Sequence, residues 1–133
     1  AYVDSEITKS NQLGEQGARL AATPDHMFST WLTYRPDAFW PGFKMGLGVR
    51  YVGETSDGSA FVALPDGTVM NDPLLTKDYT LVDAMIGYEK GAYDFSLNVD
   101  NASDKVVATS CLARGDCFYG QARTITASVK YKF

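Results

Sequence analysis

The stretch 121–133 restricts this chain more than any other. It reads Gln-Ala-Arg-Thr-Ile-Thr-Ala-Ser-Val-Lys-Tyr-Lys-Phe. Counting back by twos, Phe133, Tyr131, Val129, Ala127 and Ile125 fall together, and Lys132, Lys130, Ser128, Thr126 and Thr124 fall between them. Strand side chains point alternately to opposite faces, so this is one strand with an apolar and a polar flank. The segment 93–100 repeats the pattern without exception: Tyr93, Phe95, Leu97 and Val99 oppose Asp94, Ser96, Asn98 and Asp100. A soluble sandwich can alternate in this way. A long strand with an aromatic end and a hydroxyl- and lysine-rich back fits better in an outer-membrane barrel, where lipid takes the apolar face and the lumen the polar one.

Four more segments read as strands, making six. In 2–9, Val3, Ser5 and Ile7 oppose Tyr2, Asp4, Glu6 and Thr8. In 27–35, Phe28, Thr30, Leu32 and Tyr34 oppose Ser29, Trp31, Thr33 and Arg35, with Trp31 against the polarity rule. In 43–54, Phe43, Met45, Leu47, Val49 and Tyr51 share a face opposite Lys44, Gly46, Gly48, Arg50 and Glu54, with Val52 as the exception. In 79–89, Val82, Ala84, Ile86 and Tyr88 oppose Asp83, Met85 and Gly87. The connections are alternately long (10–24, 55–78, 101–118) and short (36–42, 90–91). Barrels have long external loops and short periplasmic turns, so each connection suits one side. Within 55–78, Pro65-Asp66-Gly67 lies between 61–64 and 68–70 and predicts a small hairpin. Tyr34, Phe39, Trp40, Phe43, Tyr88, Tyr93, Tyr131 and Phe133 gather at the short-turn rim, and Tyr51, Tyr79 and Tyr119 at the other, as two aromatic girdles.

The pieces 61–64 and 68–70 fall short of the roughly 9–11 residues that a crossing strand needs. Six strands cannot close a barrel, since bacterial barrels start at about eight and an open edge in lipid leaves backbone groups unpaired. The expected fold is therefore all-β: six antiparallel strands forming the C-terminal segment of a larger, multi-pass barrel over 1–133. Ala1-Tyr2-Val3-Asp4 has no leader-like pattern and starts as if inside a strand. Hydrophobic content is 45%, too ordinary to announce a membrane protein, because only alternate barrel residues face lipid. The net charge of −4, without a basic stripe, argues against a nucleic-acid partner. His26 is the sole histidine, so no Ser-His-Asp or HExxH set assembles, and no enzyme chemistry, cofactor or metal site is expected. Gly46-x-Gly48 is mid-strand with no helix after it, so it is not a nucleotide loop; glycines there leave room for another backbone.

The run Gly46-Leu47-Gly48-Val49-Arg50-Tyr51-Val52-Gly53-Glu54 resembles the "G-GvRYvG" strand of TonB-dependent siderophore receptors. Tyr79-Thr80-Leu81-Val82-Asp83-Ala84 is similar to their "ytlvDa" strand. Leu97-Asn98-Val99-Asp100-Asn101 with Asp104-Lys105 is similar to "lNv-NlfDk", and Gly120 to Phe133 to "G--R---as--y-F". Each motif is weak alone, but their order is specific. Cys111 and Cys117 before Phe118-Tyr119-Gly120 narrow the resemblance to the ferric hydroxamate branch, the ferrichrome and ferrioxamine receptors. Ala102-Ser103 departs from the usual Leu-Phe, and Val107 from a frequent Tyr. Leu112 stands where an aromatic often touches the ligand.

The resemblance implies an about 22-stranded barrel plugged by an N-terminal domain and driven by a TonB-type energy-coupling protein through an N-terminal box. The plug, the box and the earlier strands are expected outside this chain. It implies import of an iron(III)–siderophore, with Leu112, Phe118 and Tyr119 as candidate ligand contacts. Lys44, Gly46, Gly48, Arg50, Asp83, Asp94, Asn98 and Asp100 would face the lumen, either as a hydrated wall or bonded to the plug. Ile125, Ala127, Val129, Tyr131 and Phe133 would face outer-membrane lipid and serve as the C-terminal signal for the barrel assembly machinery. An external loop at 101–118 lies in an oxidising compartment, which favours a Cys111–Cys117 disulfide over two free thiols; C-x5-C with one distant histidine is a poor zinc pair. The competing readings are a passive or structural barrel (porin or adhesin) and a soluble lipocalin-like binding protein.

Overall fold

A computed structural model describes residues 1–11, 15–57, 62–63, 65–66, 69–70, 74–112 and 116–133. Its strands are β1 Met27–Tyr34, β2 Phe43–Val52, β3 Thr55–Ser56, β4 Val62–Ala63, β5 Val69–Met70, β6 Leu75–Thr76, β7 Tyr79–Lys90, β8 Tyr93–Asp100, β9 Ala108–Cys111, β10 Cys117–Tyr119 and β11 Thr124–Tyr131. Five of them make one sheet in the order β1-β2-β7-β8-β11. The small pairs β9/β10, β3/β6 and β4/β5 complete the described strands. The chain divides into two compact units. One comprises Phe28–Tyr51, Thr80–Val106 and Gln121–Phe133; the other comprises Ala1–Met27, Val52–Tyr79 and Val107–Gly120. The second unit thus holds the predicted long connections 10–24 and 55–78 and the later part of 101–118.

In the sheet unit, register aligns side chains of like polarity. Ala84, Val99 and Ile125 form one row, Ile86, Leu97 and Ala127 the next, and Tyr88, Phe95 and Val129 the third. On the other face Gly87 lies opposite Ser96 and Ser128, and Glu89 opposite Asp94 and Lys130. Cross-strand partners share a face, so five alternating sequences make one greasy and one wet surface. Leu47, Ile86, Phe95, Ile125 and Val129 are all exposed. A sheet must bury its apolar face against something, and none of the described residues of this unit forms a second layer over it. Lipid is the medium that can.

The short turns follow from local chemistry. Lys90 pairs with Tyr93, leaving Gly91-Ala92 as a two-residue loop. Gly91 has φ +58°, the left-handed backbone that such a loop asks of its first residue. Pro36 starts the other turn, where its carbonyl accepts from the Phe39 and Trp40 amides at 3.0 and 2.8 Å. Gly42 ends it at φ +85°, and its carbonyl accepts from the Glu89 amide at 2.7 Å.

The sixth expected strand, 2–9, is not in the sheet. Only Tyr2 bridges, to His26, flanked by bonds from the Val3 amide to Asp25 and from the Met27 amide to Ala1. Beyond that the chain bonds locally, with the Ile7 amide donating to Ala18 and the Gly17 amide to Ile7. Ser5 interrupts the apolar face of this segment, so less drives it into register than drives 93–100. The all-β class and the place in a larger barrel hold with five sheet strands instead of six.

In the loop unit the buried residues are mostly small and polar: Thr55, Ser56, Asp57 and Thr76, with Val52, Val107 and Cys111. The β3/β6 stem pairs Thr55 with Thr76 and Ser56 with Leu75. Asp57 clamps its open end, donating its amide to the Leu74 carbonyl at 3.0 Å and accepting the Leu74 amide on Oδ1 at 3.2 Å. The expected hairpin is present where Val62 faces Met70 and Ala63 faces Val69. Phe61, Leu64, Gly67 and Thr68 lie outside the described residues.

Candidate functional site

The polar face of the sheet carries the residues expected to face a lumen. Trp31, the exception in β1, lies on this face for a geometric reason. A Cβ built at Gly46 would sit 2.5 Å from Trp31 Cζ2, and one at Gly48 only 2.6 Å from Cζ3. The indole therefore lies flat in the space that two glycines of β2 vacate. Its Nε1 donates to Thr33 Oγ1 at 3.1 Å, which satisfies the one polar atom of the ring. The sequence suggested that these glycines admit another backbone; the space belongs to Trp31.

A second long side chain uses the same device. Lys44 leans across Gly87 of β7, where a Cβ would come within 2.5 Å of its Cε. That path lets its ammonium donate to Asp94 Oδ1 at 2.8 Å on β8 and to Glu89 Oε1 at 3.1 Å on β7. Lys132 Nζ adds a longer contact to Glu89 at 3.8 Å. Lys44 and Asp94 were expected on this face; Glu89, the second anion of the group, was not singled out. Higher on the same face Arg50 Nη2 reaches Asp83 Oδ2 at 3.4 Å, while Asp83 Oδ1 accepts the Asn101 amide at 2.9 Å. Trp31, Gly48, Arg50 and Asp83, with Ser29, Thr30 and Val49, border an open cavity of about 440 Å³. Asn98 lies opposite Met85 and Thr126, and Asp100 opposite Thr124. The structure thus brings Arg50 and Asp83 together, and Lys44 and Asp94 together, as two separate ion pairs.

Asn101 is the polar residue that sequence reasoning undervalued. It is 3% exposed and sits at φ +52°, a backbone that asparagine tolerates better than most residues. Its Nδ2 donates to the carbonyls of Lys105 at 2.9 Å and Gln121 at 3.1 Å, and its Oδ1 accepts the Lys105 amide at 3.0 Å. Asp104, also left-handed, accepts the Arg123 amide at 3.0 Å. These two residues fix where β8 ends and the approach to β11 begins. The signal was the Asn-x-x-Asp-Lys spelling after an alternating strand, which was visible only as part of a family motif.

On the opposite face Ile125, Ala127, Val129 and Tyr131 form the apolar edge of β11, and Phe133 continues it. Tyr93, Tyr131 and Phe133 make a chain of ring contacts, with centroids 5.1 and 5.4 Å apart. Trp40 meets Phe43 edge-on at 5.6 Å. Aromatic rings gathered at one rim are the arrangement favoured at a membrane–water interface.

In the loop unit, β9 and β10 form a hairpin closed by the Cys111–Cys117 disulfide, as expected. Residues 113–115 of its tip lie outside the described residues. Within the ring that the disulfide closes, the Leu112 amide donates to the Asp116 carbonyl at 2.8 Å. An irregular register step between Phe118 and Tyr119 breaks the alternation of β10. Phe118 is 53% exposed, Tyr119 69% and Leu112 37%, so the three candidate ligand contacts are available at the surface of one clamped hairpin. Behind them Gly120 passes so close to Val107 that a Cβ would lie 2.8 Å from its Cγ2. Among the described residues no group of three His, Cys, Asp or Glu side chains is placed to hold a metal ion.

Comparison with known proteins agrees with this geometry. The sequence is 33% identical over 139 aligned residues to the ferrioxamine B receptor of Salmonella typhimurium (strain SL1344), covering 99% of this chain and 18% of that protein. It is 28% identical to the ferrichrome outer membrane transporter/phage receptor of Escherichia coli (strain K12), covering 99% of this chain and 17% of that one. The fold matches the closed form of the ferric-catecholate import receptor Fiu from E. coli K12 with a TM-score of 0.73, at 28% identity over 96% of this chain and 17% of that chain. The chain therefore spans less than a fifth of these relatives, and its sheet is a sector of an outer-membrane barrel wall. The family described as "TonB dependent receptor-like, beta-barrel" matches residues 1–102, and the chain belongs to that family.

Proposed function

We propose that the whole protein is an outer-membrane receptor for energy-coupled uptake of an iron(III)–siderophore of the hydroxamate class, and that residues 1–133 are the C-terminal portion of its barrel. The observation that carries this is the likeness to the ferrioxamine B receptor along 99% of the chain, in a sheet with one apolar and one polar face. In this reading the disulfide-clamped hairpin is external. Leu112 and Phe118 pack on apolar parts of the ligand, and the Tyr119 hydroxyl reaches a ligand oxygen. The iron is cargo, held by the siderophore and not by the protein. Lys44, Arg50, Asp83, Asp94, Asn98 and Asp100 face a plug domain encoded outside this chain, and a TonB-type protein supplies energy through the N-terminus. Ile125, Ala127, Val129, Tyr131 and Phe133 present the last strand to lipid and to the barrel assembly machinery.

The test is uptake of labelled iron into cells that carry or lack the intact gene, with ferrioxamine B, ferrichrome and a catecholate siderophore offered separately. Gene-dependent uptake from a hydroxamate, lost when the energy-coupling protein is deleted, is the expected result. Uptake from none of the three overturns the import reading. The likeness to a ferric-catecholate receptor favours one second reading, a catecholate ligand, and uptake from that siderophore alone would select it.

A further inference from the structure

The apolar face of the sheet is not uniformly smooth. Beside the short-turn rim it carries a groove of about 280 Å³ walled by Ile86, Tyr88, Phe95, Leu97 and Val129. Ala127 lies in it between the larger Ile125 and Val129 of the same face, opposite Leu97. The backbone of Gly87, Ser96 and Ser128 also borders the groove, although these residues alternate with the apolar ones. The groove therefore reaches down to the sheet itself, to a depth set by the small side chain of Ala127.

The neighbouring row gives the groove a direction. Lys90 is two residues beyond Tyr88, so both lie on this face, one strand repeat of ~7 Å apart. Lys90 pairs with Tyr93, and Tyr93 with Tyr131. A cation and two phenols thus form the row on the rim side of the groove. In the opposite direction lie the Ile86–Leu97–Ala127 row and then Ala84–Val99–Ile125, which carry only aliphatic side chains. Polarity falls from rim to membrane centre, as it does from the headgroup to the tail of a lipid. Glu89 and Asp94, the carboxylates that flank Lys90 and Tyr93 in sequence, lie on the other face and are paired with Lys44, so they do not compete for Lys90.

We propose that this groove is a binding site for one glycerophospholipid, with its phosphate at Lys90, its ester region at the Tyr93 and Tyr131 hydroxyls, and an acyl chain over Ala127. The short turns place it in the periplasmic leaflet. The site rests on the membrane-barrel reading given above and is tested so that the two can fail separately. The full-length receptor is purified in mild detergent, offered mixed vesicles of phosphatidylglycerol and phosphatidylethanolamine, and weighed intact by native mass spectrometry. Heat-modifiable migration on a gel reports whether each sample is a closed barrel.

The expected result is one retained glycerophospholipid on the parent protein and its loss in Ala127→Phe, which fills the groove. Lys90→Gln retains about fivefold less, the weight of one basic residue at a lipid surface. Retention unchanged in either variant, no retained lipid on a closed parent barrel, or a retained mass of lipopolysaccharide overturns the site and leaves the barrel standing. A parent protein that never migrates as a closed barrel in the membrane fraction overturns both.

Discussion

Trp31 and Gly48 supply the sharpest test of how the polar face is built. In Gly48→Ala the new Cβ would lie 2.6 Å from Trp31 Cζ3, against the 3.5–4.0 Å at which carbons normally touch. Either the indole lifts from the strand or the strand shifts, and overpacking of this kind costs about 1–3 kcal/mol. Removing the indole reverses the sign. In Trp31→Ala the same Gly48→Ala change keeps only an ordinary contact, Asp83 Cβ at 3.5 Å, and alanine is better than glycine inside a strand by roughly 0.5–1 kcal/mol. The coupling between the two positions is then about 1.5–4 kcal/mol, well above the few tenths expected of independent sites. It is read from urea unfolding midpoints of the full-length barrel reconstituted in lipid, for the parent, both single variants and the double variant. Gly46→Ala provides a repeat, because its Cβ would meet the other edge of the same ring. Equal destabilisation by Gly48→Ala with and without Trp31 would refute the reasoning. It would mean that something other than the indole, such as the backbone of an interior domain, occupies the space.

Other positions give direct outcomes. Asn101→Ala removes bonds to Lys105 and Gln121 from a residue that is 3% exposed; each stranded carbonyl costs about 1–3 kcal/mol, and hydrogen exchange at residues 102–106 should accelerate. Gly42→Ala combines a φ of +85° with a collision at the Glu89 carbonyl oxygen, so the turn should open, with a lower unfolding midpoint and a rapidly exchanging Glu89 amide. Replacing both Cys111 and Cys117 by serine opens a small ring worth about 2 kcal/mol in the chain-entropy account; limited proteolysis of intact cells should then cut near the β9/β10 hairpin while the barrel still migrates as closed.

The contrast between 93–100 and 2–9 shows what sequence can and cannot specify in such a wall. Both alternate. In 93–100 every second residue is large and apolar, so a one-residue slip would move all of them to the wet face, and register follows from the pattern alone. In 2–9 Ser5 breaks the apolar face, and being a strand then depends on a neighbour; among the described residues the one β-bridge of this segment is to His26. Alternation grouped Trp31 with the polar residues of 27–35, but the reason it sits there was illegible. Side-chain polarity predicts its face wrongly, because the deciding fact is two glycines on the next strand, and that pairing is a property of register and not of residues 27–35. Lys44 repeats the point: its bond to Asp94 crosses β7 only because position 87 has no side chain. The greasy face is composed one residue at a time and can be read one residue at a time. The wet face is composed across strands, with Gly46 and Gly48 making room for Trp31 and Gly87 for Lys44. For the same reason a hydropathy argument finds the wall but misses its fittings.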